Sequence, residues 1–361
     1  MRFLNNRLSA TVDVYYDINS DILNQNIGGI IGTPIFAGGA LTEVNFGRID
    51  AFGSEFSLNW RDKIDQVKYN IGVNFGFNGN RVREWPQSAP SYIQENSVRE
   101  GVSTIFPTYG YKVWRGTSTG DGILRNSDDI KNYWNYLSAN AEAAGTSPEY
   151  LGVKDVSQLK PGMLAYQDLG GVLNEDGTQS GPDGRIAKTQ DYAKLNKSGK
   201  TYGFTTKLGV EWKGISFNMM FAPSWGGYRQ IDVNKITTSS GDMLWTPDSF
   251  WKDMFDERNN TTGKYPNLGL DNRISGSVIA PSDFWSISTF RCYIRNLSIG
   301  YTLPKAWLSP LKIQSAKLSL TGNNLWDFYN PYPDHYRNMY CGTTSLYPTL
   351  RTWSLGVNVS F

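Results

Sequence analysis

The chain has 361 residues, of which 39% are hydrophobic and 14% aromatic, and its formal net charge is +2. This near balance of charge excludes recruitment of nucleic acid or another polyanion by net charge alone. One histidine and two cysteines are too few for a histidine–cysteine metal cluster, and they leave at most one imidazole for a catalytic triad. We therefore expect no enzymatic activity. Cys292 and Cys341 could form one disulfide or remain two separate thiols, and the sequence leaves both readings open.

The start of the chain does not have the pattern of an export signal. Residues 1–16 read MRFLNNRLSATVDVYY, in which polar residues interrupt every apolar run. The longest uncharged stretch, residues 22–42, is long enough for a membrane helix. It contains Pro34 and several glycines, however, so it is predicted to be a loop.

Alternation of apolar and polar residues is the dominant pattern, and it predicts β-strands that carry different chemistry on their two faces. The first predicted strand is interrupted only by Tyr15, which stands where a polar residue is expected. We expect about eight strands, and in chain order they cover residues 8–16, 52–61, 68–78, 202–212, 215–222, 290–303, 315–323 and 352–361.

The connections between these strands alternate in length. The short ones cover residues 62–67, 213–214 and 304–310, and the long ones cover residues 17–51, 79–201, 223–289 and 324–349. Transmembrane β-barrels have this asymmetry, with tight periplasmic turns and long extracellular loops. The sequence therefore predicts an all-β, transmembrane antiparallel β-barrel segment, in which residues 79–201 form a long extracellular loop region.

The composition of the two strand faces agrees with a bilayer. Lipid accepts only hydrocarbon on the outer face of a spanning sheet, whereas the other face can be wet. Here that second face is rich in Asn, Ser, Thr, Gly and Lys. The alternative is a soluble, glycan-binding β-sandwich whose apolar faces pack against each other.

Three phrases near the C-terminus carry a family resemblance. Residues 293–304 read YIRNLSIGYTLP, residues 318–326 read LSLTGNNLW, and residues 347–353 read YPTLRTW. These phrases resemble the closing strands of the SusC/RagA family of TonB-dependent outer-membrane transporters. Upstream, NNRLSATV at 5–12 and SDFW at 282–285 are similar to other barrel segments of the same family.

The resemblance implies that residues 1–361 are the C-terminal part of the barrel, about eight strands of a 22-stranded wall, with no plug domain and no signal peptide in the chain. It implies a multi-pass protein of the Gram-negative outer membrane that imports nutrients. Glycan uptake is the expected activity, and peptide import by the same architecture is the alternative. A small passive barrel of eight strands is a further alternative.

The resemblance also implies partners. A SusD-like surface lipoprotein would dock on the long loops, and the TonB complex would act through the N-terminal part of such a transporter. The barrel assembly machinery and outer-membrane lipid are further expected partners, whereas nucleic acid is not. No cofactor is expected apart from a structural Ca²⁺.

The end of the chain resembles the insertion signal of such barrels. A terminal aromatic residue on an alternating strand is the pattern that the barrel assembly machinery recognises in the proteins that this one resembles, by pairing with its own strand edge. The simpler role for Phe361 is contact with lipid, and both roles can hold. The expected signal residues are Trp353, Leu355, Val357, Val359 and Phe361.

An acidic segment is the candidate for the Ca²⁺ site, because oxygen ligands and glycine turns suit a hard cation. The candidate ligands are Asp168, Asn174, Asp176, Asp183 and Asp191. The family often has a compact D-x-N-x-D-G-x-I pattern here, and an insertion before Asp183 interrupts it in this chain. The alternative is that these residues are solvated turn acids.

Aromatic residues in the predicted outside segments are candidate substrate contacts. Flat apolar rings beside Asn, Asp and Arg suit sugar faces and peptide side chains. Packing of the long loops against one another and a place in the aromatic girdle at the membrane interface are the alternative roles for each ring. The candidates are Trp114, Trp134, Trp225, Tyr228, Trp245, Trp251, Trp285, Trp326 and Tyr329.

Overall fold

A computed structural model describes residues 2–25, 43–85, 98, 100–171, 178–230, 253–267, 277–329 and 350–361. Its main feature is an antiparallel sheet of nine strands in which each strand pairs with its neighbours along the chain. The strands are β1 (Arg2–Phe3), β2 (Leu8–Asn19), β3 (Arg48–Ile64), β4 (Val67–Glu84), β5 (Tyr202–Trp212), β6 (Ile215–Trp225), β7 (Arg291–Thr302), β8 (Ser315–Tyr329) and β9 (Thr352–Ser360).

The predicted all-β class and the antiparallel barrel-type sheet are confirmed. Strands β2 to β9 occupy the eight segments that the alternation predicts, and β1 is a two-residue addition. Within the described residues, β1 and β9 are the two ends of the sheet, which is not closed on itself. Strands β3 and β4 are longer than predicted, because backbone pairing continues through Asn80 and Arg81 after the apolar alternation has ended.

The short connections lie at one end of the sheet. Ile64 pairs with Val67, so two residues connect β3 to β4. Lys213 and Gly214 connect β5 to β6 with φ angles of 45° and 85°, as the mirror-image hairpin turn requires. The connection from β7 to β8 contains a helical turn at Lys305–Leu308 and a 3₁₀ turn at Ser309–Leu311. Because the strands are antiparallel, all the long connections leave from the opposite end.

Two of the long connections build a compact structure, which we call the loop unit: residues 107–198, 253–267 and 277–285 in their described parts. Its largest element is α1 (Ser127–Ala144), which begins where the Asn126 side chain accepts a hydrogen bond from the Asp129 N–H and ends at Gly145 with a φ of 68°. Residues Tyr133, Leu137 and Ala141 lie four apart along α1 and are buried. A second helix, α2 (Lys188–Asp191), lies near the end of the unit.

The hydrophobic core lies in the loop unit and not between layers of sheet. Its buried members include Val113, Ile123, Leu164 and Phe255. Short strands add to the unit: Glu149–Tyr150 pairs in parallel with Arg185–Ile186, and Pro107–Gly110 pairs antiparallel with Ala193–Ser198. The region predicted as a long loop therefore contains a folded structure with its own core. Elsewhere, Leu23–Gln25 pairs with Glu43–Asn45, and Tyr228–Gln230 pairs with Ser286–Ser288.

Among the described ranges, no helix combines the length and the apolar character that crossing a bilayer as a helix requires.

Tyr15, the residue that interrupts the alternation of β2, lies against a glycine of the next strand. Tyr15 and Gly53 are cross-strand partners. A Cβ atom on Gly53 would lie 2.5 Å from the Tyr15 hydroxyl oxygen and 2.6 Å from the Phe77 carbonyl oxygen. The absent side chain thus makes room for the tyrosine ring, as in aromatic rescue of a strand glycine.

We predict that Gly53→Ala destabilises the sheet by about 1–3 kcal/mol, because the added methyl group overlaps a ring and a backbone oxygen that cannot move away. Gly76→Ala in the same hairpin is the control, since its nearest atom would lie 3.3 Å away. The urea midpoint of the complete gene product in detergent, followed by tryptophan fluorescence, measures the effect. Equal midpoints for the two variants would contradict the prediction.

Candidate functional site

One face of the sheet carries a continuous apolar surface. Residues that pair across successive strands form rows, and the sequence alternation places an apolar side chain at nearly every position of a row. Leu355 and Val357 on β9 are 77% and 65% exposed, and Val14 and Phe77 on β2 and β4 are also exposed. One such row is Leu8, Trp60, Ile71, Leu208, Met219, Leu297, Gly322 and Trp353.

The neighbouring row on the opposite face is polar apart from Met220. It consists of Ser9, Asn59, Gly72, Lys207, Met220, Asn296, Asn323 and Thr352. Hydrogen bonds run along this face: the Asn296 amide donates to the Asn323 side-chain oxygen at 2.8 Å, and the Asn323 amide donates to the Thr352 hydroxyl at 3.1 Å. The sheet therefore presents hydrocarbon on one side and hydrogen-bonding groups on the other.

The predicted insertion-signal residues all lie at the end of the sheet. Trp353, Leu355, Val357 and Val359 alternate on β9, and Phe361 follows it. All five side chains are exposed. Strand β9 pairs with β8 along one edge, and within the described residues its other edge has no partner strand. The recognition role of these residues stays a prediction.

Stacked tyrosines hold the loop unit together. The Tyr133 hydroxyl donates to the Tyr166 carbonyl oxygen at 2.8 Å, and the Tyr150 hydroxyl donates to the Leu164 carbonyl oxygen. The rings of Tyr111 and Tyr166 stack at 4.5 Å. Burial raises the pKa of Tyr133, Tyr150 and Tyr166 well above its usual value, so these hydroxyls stay protonated donors. The unit is therefore a rigid support and not a loose loop.

Three of the predicted Ca²⁺ ligands lie in the loop unit and are buried. Asp168 accepts hydrogen bonds from the Gly184 N–H at 2.6 Å and from the Asn140 amide at 3.1 Å. Asp191 accepts from the N–H groups of Leu169 and Ala187, each at 2.8 Å. The two carboxylates therefore tie the segment around residue 184 and the start of α2 to α1.

The third aspartate is bonded in the same way. Asp183 accepts from the Arg185 N–H at 3.0 Å and from the Gln190 side chain at 3.2 Å. The three carboxylates are buried and are not the solvated acids of the alternative reading. Asn174 and Asp176 lie outside the described residues. Among the described side chains, no three or more His, Cys, Asp or Glu are arranged to hold a metal ion. The Ca²⁺ site stays a prediction.

Burial changes the acidity of two of these groups. It raises the pKa of Asp191 to about 7, and the N–H donors of Ala187 and Leu169 act in the opposite direction. Burial also raises the pKa of Asp168 above its usual value, against the lowering effect of the Gly184 N–H. The negative charge of Asp168 contributes to the raised pKa of Asp191.

The predicted substrate aromatics separate into two groups. Trp114 and Trp134 pack against the core of the loop unit. Trp285 is only 1% exposed, and its indole N–H donates to the Val278 carbonyl oxygen at 2.7 Å. Tyr228 is half-buried.

The exposed candidates are Trp225, Trp326 and Tyr329. They lie at the ends of β6 and β8 from which the long connections leave. Trp245 and Trp251 lie outside the described residues. Packing thus accounts for several predicted contacts. The cross-strand partners of Trp225 and Trp326 are Tyr202 and Ile294, in rows of the apolar face, so these two rings are exposed on that face. Their contact with substrate stays a prediction.

A charged cluster that was not predicted from the sequence lies at the same end of the sheet. The Asp50 carboxylate accepts from Arg48 Nε at 2.9 Å, from Arg83 Nε at 2.8 Å and from the Tyr16 hydroxyl at 2.5 Å. Arg83 and Glu84 fall in the region that was assigned to a loop. The alternation of Arg81 and Arg83 was the available signal that β4 continues there.

Comparisons with known proteins give one relative of known sequence and several similar folds. No family model matches the chain. The TonB-dependent receptor P3 of Formosa agariphila is 25% identical over 381 residues, which cover 99% of this chain and 32% of the receptor.

Solved structures give the same fold. The RagAB peptide transporter has a TM-score of 0.59 at 18% identity, covering 99% of this chain and 34% of its own. The RagAB peptide importer in its "open-open" state has a TM-score of 0.59 at 17% identity, covering 99% and 33%. The chain thus spans about a third of the length of the proteins that it matches.

We predict that the loop unit loses stability as the pH rises from about 4 to about 7. In this window the unfolded chain has released the Asp191 proton and the folded chain has kept it, so unfolding becomes more favourable, by about 1.4 kcal/mol per unit of pKa difference. Hydrogen exchange of the Leu169 and Ala187 amides, corrected for intrinsic rates, measures the change. Asp191→Asn should reduce this pH dependence and leave the part that comes from Asp168.

The control is Asp155→Asn, at an exposed carboxylate of the same unit. The Ser157 N–H lowers the pKa of Asp155, so this group has the opposite sign and loses its contribution as the pH falls. Between pH 4 and 7, exchange protection should decrease more in the wild-type chain than in Asp191→Asn. An equal change in the two proteins would contradict the prediction.

Proposed function

We propose that this chain, a SusC/RagA-like relative of the TonB-dependent transporters, forms a section of barrel wall and the attached outer loops of an outer-membrane nutrient importer. The observation that carries the proposal is the pair of adjacent rows across the sheet, one apolar and exposed and the other polar. A bilayer requires this arrangement, because lipid cannot hydrogen-bond to the strands that it touches.

The orientation in the membrane follows from the connections. Barrels of this class place tight turns in the periplasm and long loops outside. We therefore place the Lys213–Gly214 turn in the periplasm and the loop unit at the cell surface. The loop unit has a packed core of its own, so it can hold a fixed surface above the barrel opening.

The alternatives are less well supported. A soluble sandwich would bury Leu355 and Val357 under a second sheet, whereas both are exposed here. A small closed barrel would pair the first long strands with β9, and no such pairing exists among the described strands. The similar proteins are about three times as long as this chain, which favours a section of a larger wall.

In the proposed transport cycle, this chain provides wall and loops and does no covalent chemistry. The substrate is captured outside, under a SusD-like lipoprotein docked on the loop unit. The TonB complex would act through the N-terminal part of such a transporter. Expected partners during assembly are the barrel assembly machinery and outer-membrane lipid.

Oligosaccharides are the proposed substrate class. Trp326 and Tyr329 are exposed near the loop end of β8, and Trp225 is exposed at the corresponding end of β6. Exposed rings at the loop end suit the flat faces of sugars. Peptides are the second candidate, because the RagAB proteins of similar fold are described as peptide transporters.

We predict that Leu355→Arg blocks assembly into the outer membrane, because a charge on the lipid face costs about 2–4 kcal/mol near the midplane. Ser354→Arg is the matched control at almost the same depth, since Ser354 pairs with Thr321 on the polar face. The amount of heat-resistant folded protein in outer-membrane fractions measures assembly. Equal amounts for the two variants would overturn the bilayer orientation.

We predict that Trp326→Ala combined with Tyr329→Ala weakens oligosaccharide uptake roughly five- to hundredfold, since each ring contact is worth about 0.5–1.5 kcal/mol and the two together about 1–3 kcal/mol. Uptake of labelled oligosaccharides and of labelled peptides is compared in cells that depend on the complete gene product. Trp307→Ala is the control, because Trp307 is exposed at the short-turn end. Accumulation of peptides without oligosaccharides would replace the glycan assignment by the peptide one.

A further inference from the structure

The charged cluster on β2, β3 and β4 contains two arginines and one buried carboxylate. Asp50 has a side chain only 1% exposed, whereas the side chains of Arg48 and Arg83 are 34% and 44% exposed. Arg48 binds both Asp50 oxygens, through Nε at 2.9 Å and through a second nitrogen at 3.3 Å. The bidentate pair with Arg48 therefore already balances the charge of Asp50.

Arg83 is a second cation on a carboxylate that is already paired. It donates to Asp50 at 2.8 Å and to the Tyr16 hydroxyl at 3.3 Å. A guanidinium has five N–H groups, and these contacts use two of them in each arginine. The cluster therefore keeps both a positive charge and further donors in a fixed fork geometry, which suits a phosphate.

Other charged groups surround this cluster. Glu84 is the cross-strand partner of Arg48. The Arg81 guanidinium donates to the Gly101 carbonyl oxygen at 3.2 Å, and the Glu100 carboxylate accepts from the Trp85 N–H at 3.4 Å. These outer groups carry charges of both signs, so the second cation belongs to the contacts with Asp50 itself, which two arginines share.

The cluster lies on the apolar face of the sheet, at the end with the long connections. Tyr16 continues the alternation of Val12 and Val14, and its ring stacks on Phe52 at 6.5 Å. Val14, Tyr16, Phe52 and Phe77 are exposed on this face. Along the strands, the arginines therefore lie at the loop end, and exposed apolar and aromatic side chains follow them. The headgroup and the chains of a membrane lipid have the same order.

We propose that Arg48 and Arg83, positioned by Asp50, bind the phosphate group of a membrane lipid whose chains lie along Val14, Tyr16, Phe52 and Phe77. The proposal rests on the proposed function, because it requires this face to contact a bilayer. A purely structural ion pair needs only one arginine for each carboxylate. The proposal gives the second arginine on Asp50 a role in binding.

Native mass spectrometry of the complete gene product tests the proposal. The protein is purified from outer membranes, stripped of lipid in detergent, and mixed with dioleoyl phosphatidic acid or with dioleoylglycerol, which has the same chains without the phosphate. We expect at least fivefold more retention of phosphatidic acid, and inorganic phosphate at millimolar concentration should not displace it. Equal retention of the two lipids would overturn the proposal, and so would displacement by inorganic phosphate, which would indicate a site for free anions.

Variants test the residues. Arg48→Gln with Arg83→Gln should reduce phosphatidic acid retention at least fivefold, whereas Arg7→Gln should retain it. Arg7 is the matched control, because it pairs with Asp62 at the opposite end of the same strands, at 3.2 Å. Unchanged retention in the folded double variant would overturn the assignment. If the double variant does not assemble, the comparison of the two lipids on the wild-type protein still decides.

Failure of this inference and failure of the proposed function give different results. Loss of lipid selectivity in a protein that remains in the outer membrane and takes up substrate would overturn only the lipid site. Absence of the wild-type protein from the outer membrane would overturn the function on which the site rests.

Discussion

The pairing of backbone hydrogen bonds within one sheet is the constraint on which the rest of the structure depends. Each of the eight long strands is bonded to the next one along the chain, so the polar backbone is satisfied inside the wall and the two faces are free to differ. Successive residues of a strand then lie on opposite faces, so Leu355 lies on one face and Ser354 on the other. A one-residue slip in register would exchange the two faces completely.

The same constraint explains why the hydrophobic core lies outside the sheet. A sheet with exposed hydrocarbon on one face and hydrogen-bonding groups on the other buries little of its own, so residues such as Val113, Leu164 and Tyr166 are packed instead in the loop unit. Buried tyrosine hydroxyls and the carboxylates of Asp168 and Asp191 satisfy the backbone there. The surface of the loop unit is therefore held by an independent core, and it does not rely on the barrel for its shape.

The eight long strands could be predicted because a period of two is a local property of the sequence. Helix α1 could not, since its buried positions, Tyr133, Leu137 and Ala141, form a narrow stripe within a polar segment. The aspartates were assigned by residue type, but their burial depends on Asn140, 28 positions before Asp168, and on the Gly184 N–H. Contacts of this kind arise only from packing, which no local pattern contains.

The aromatic residues show where residue type stops being informative. Trp285 and Trp326 both lie in segments rich in glycine, serine and asparagine, and both looked equally suitable for a ligand. Trp285 stacks on Tyr265 and donates its N–H to a backbone carbonyl inside the loop unit, so its polar and apolar needs are already met. Trp326 lies exposed on β8 near the loop end. A ring that is already buried in the protein gains no further apolar contact when a substrate binds. The recognition hypothesis therefore depends on the exposed rings.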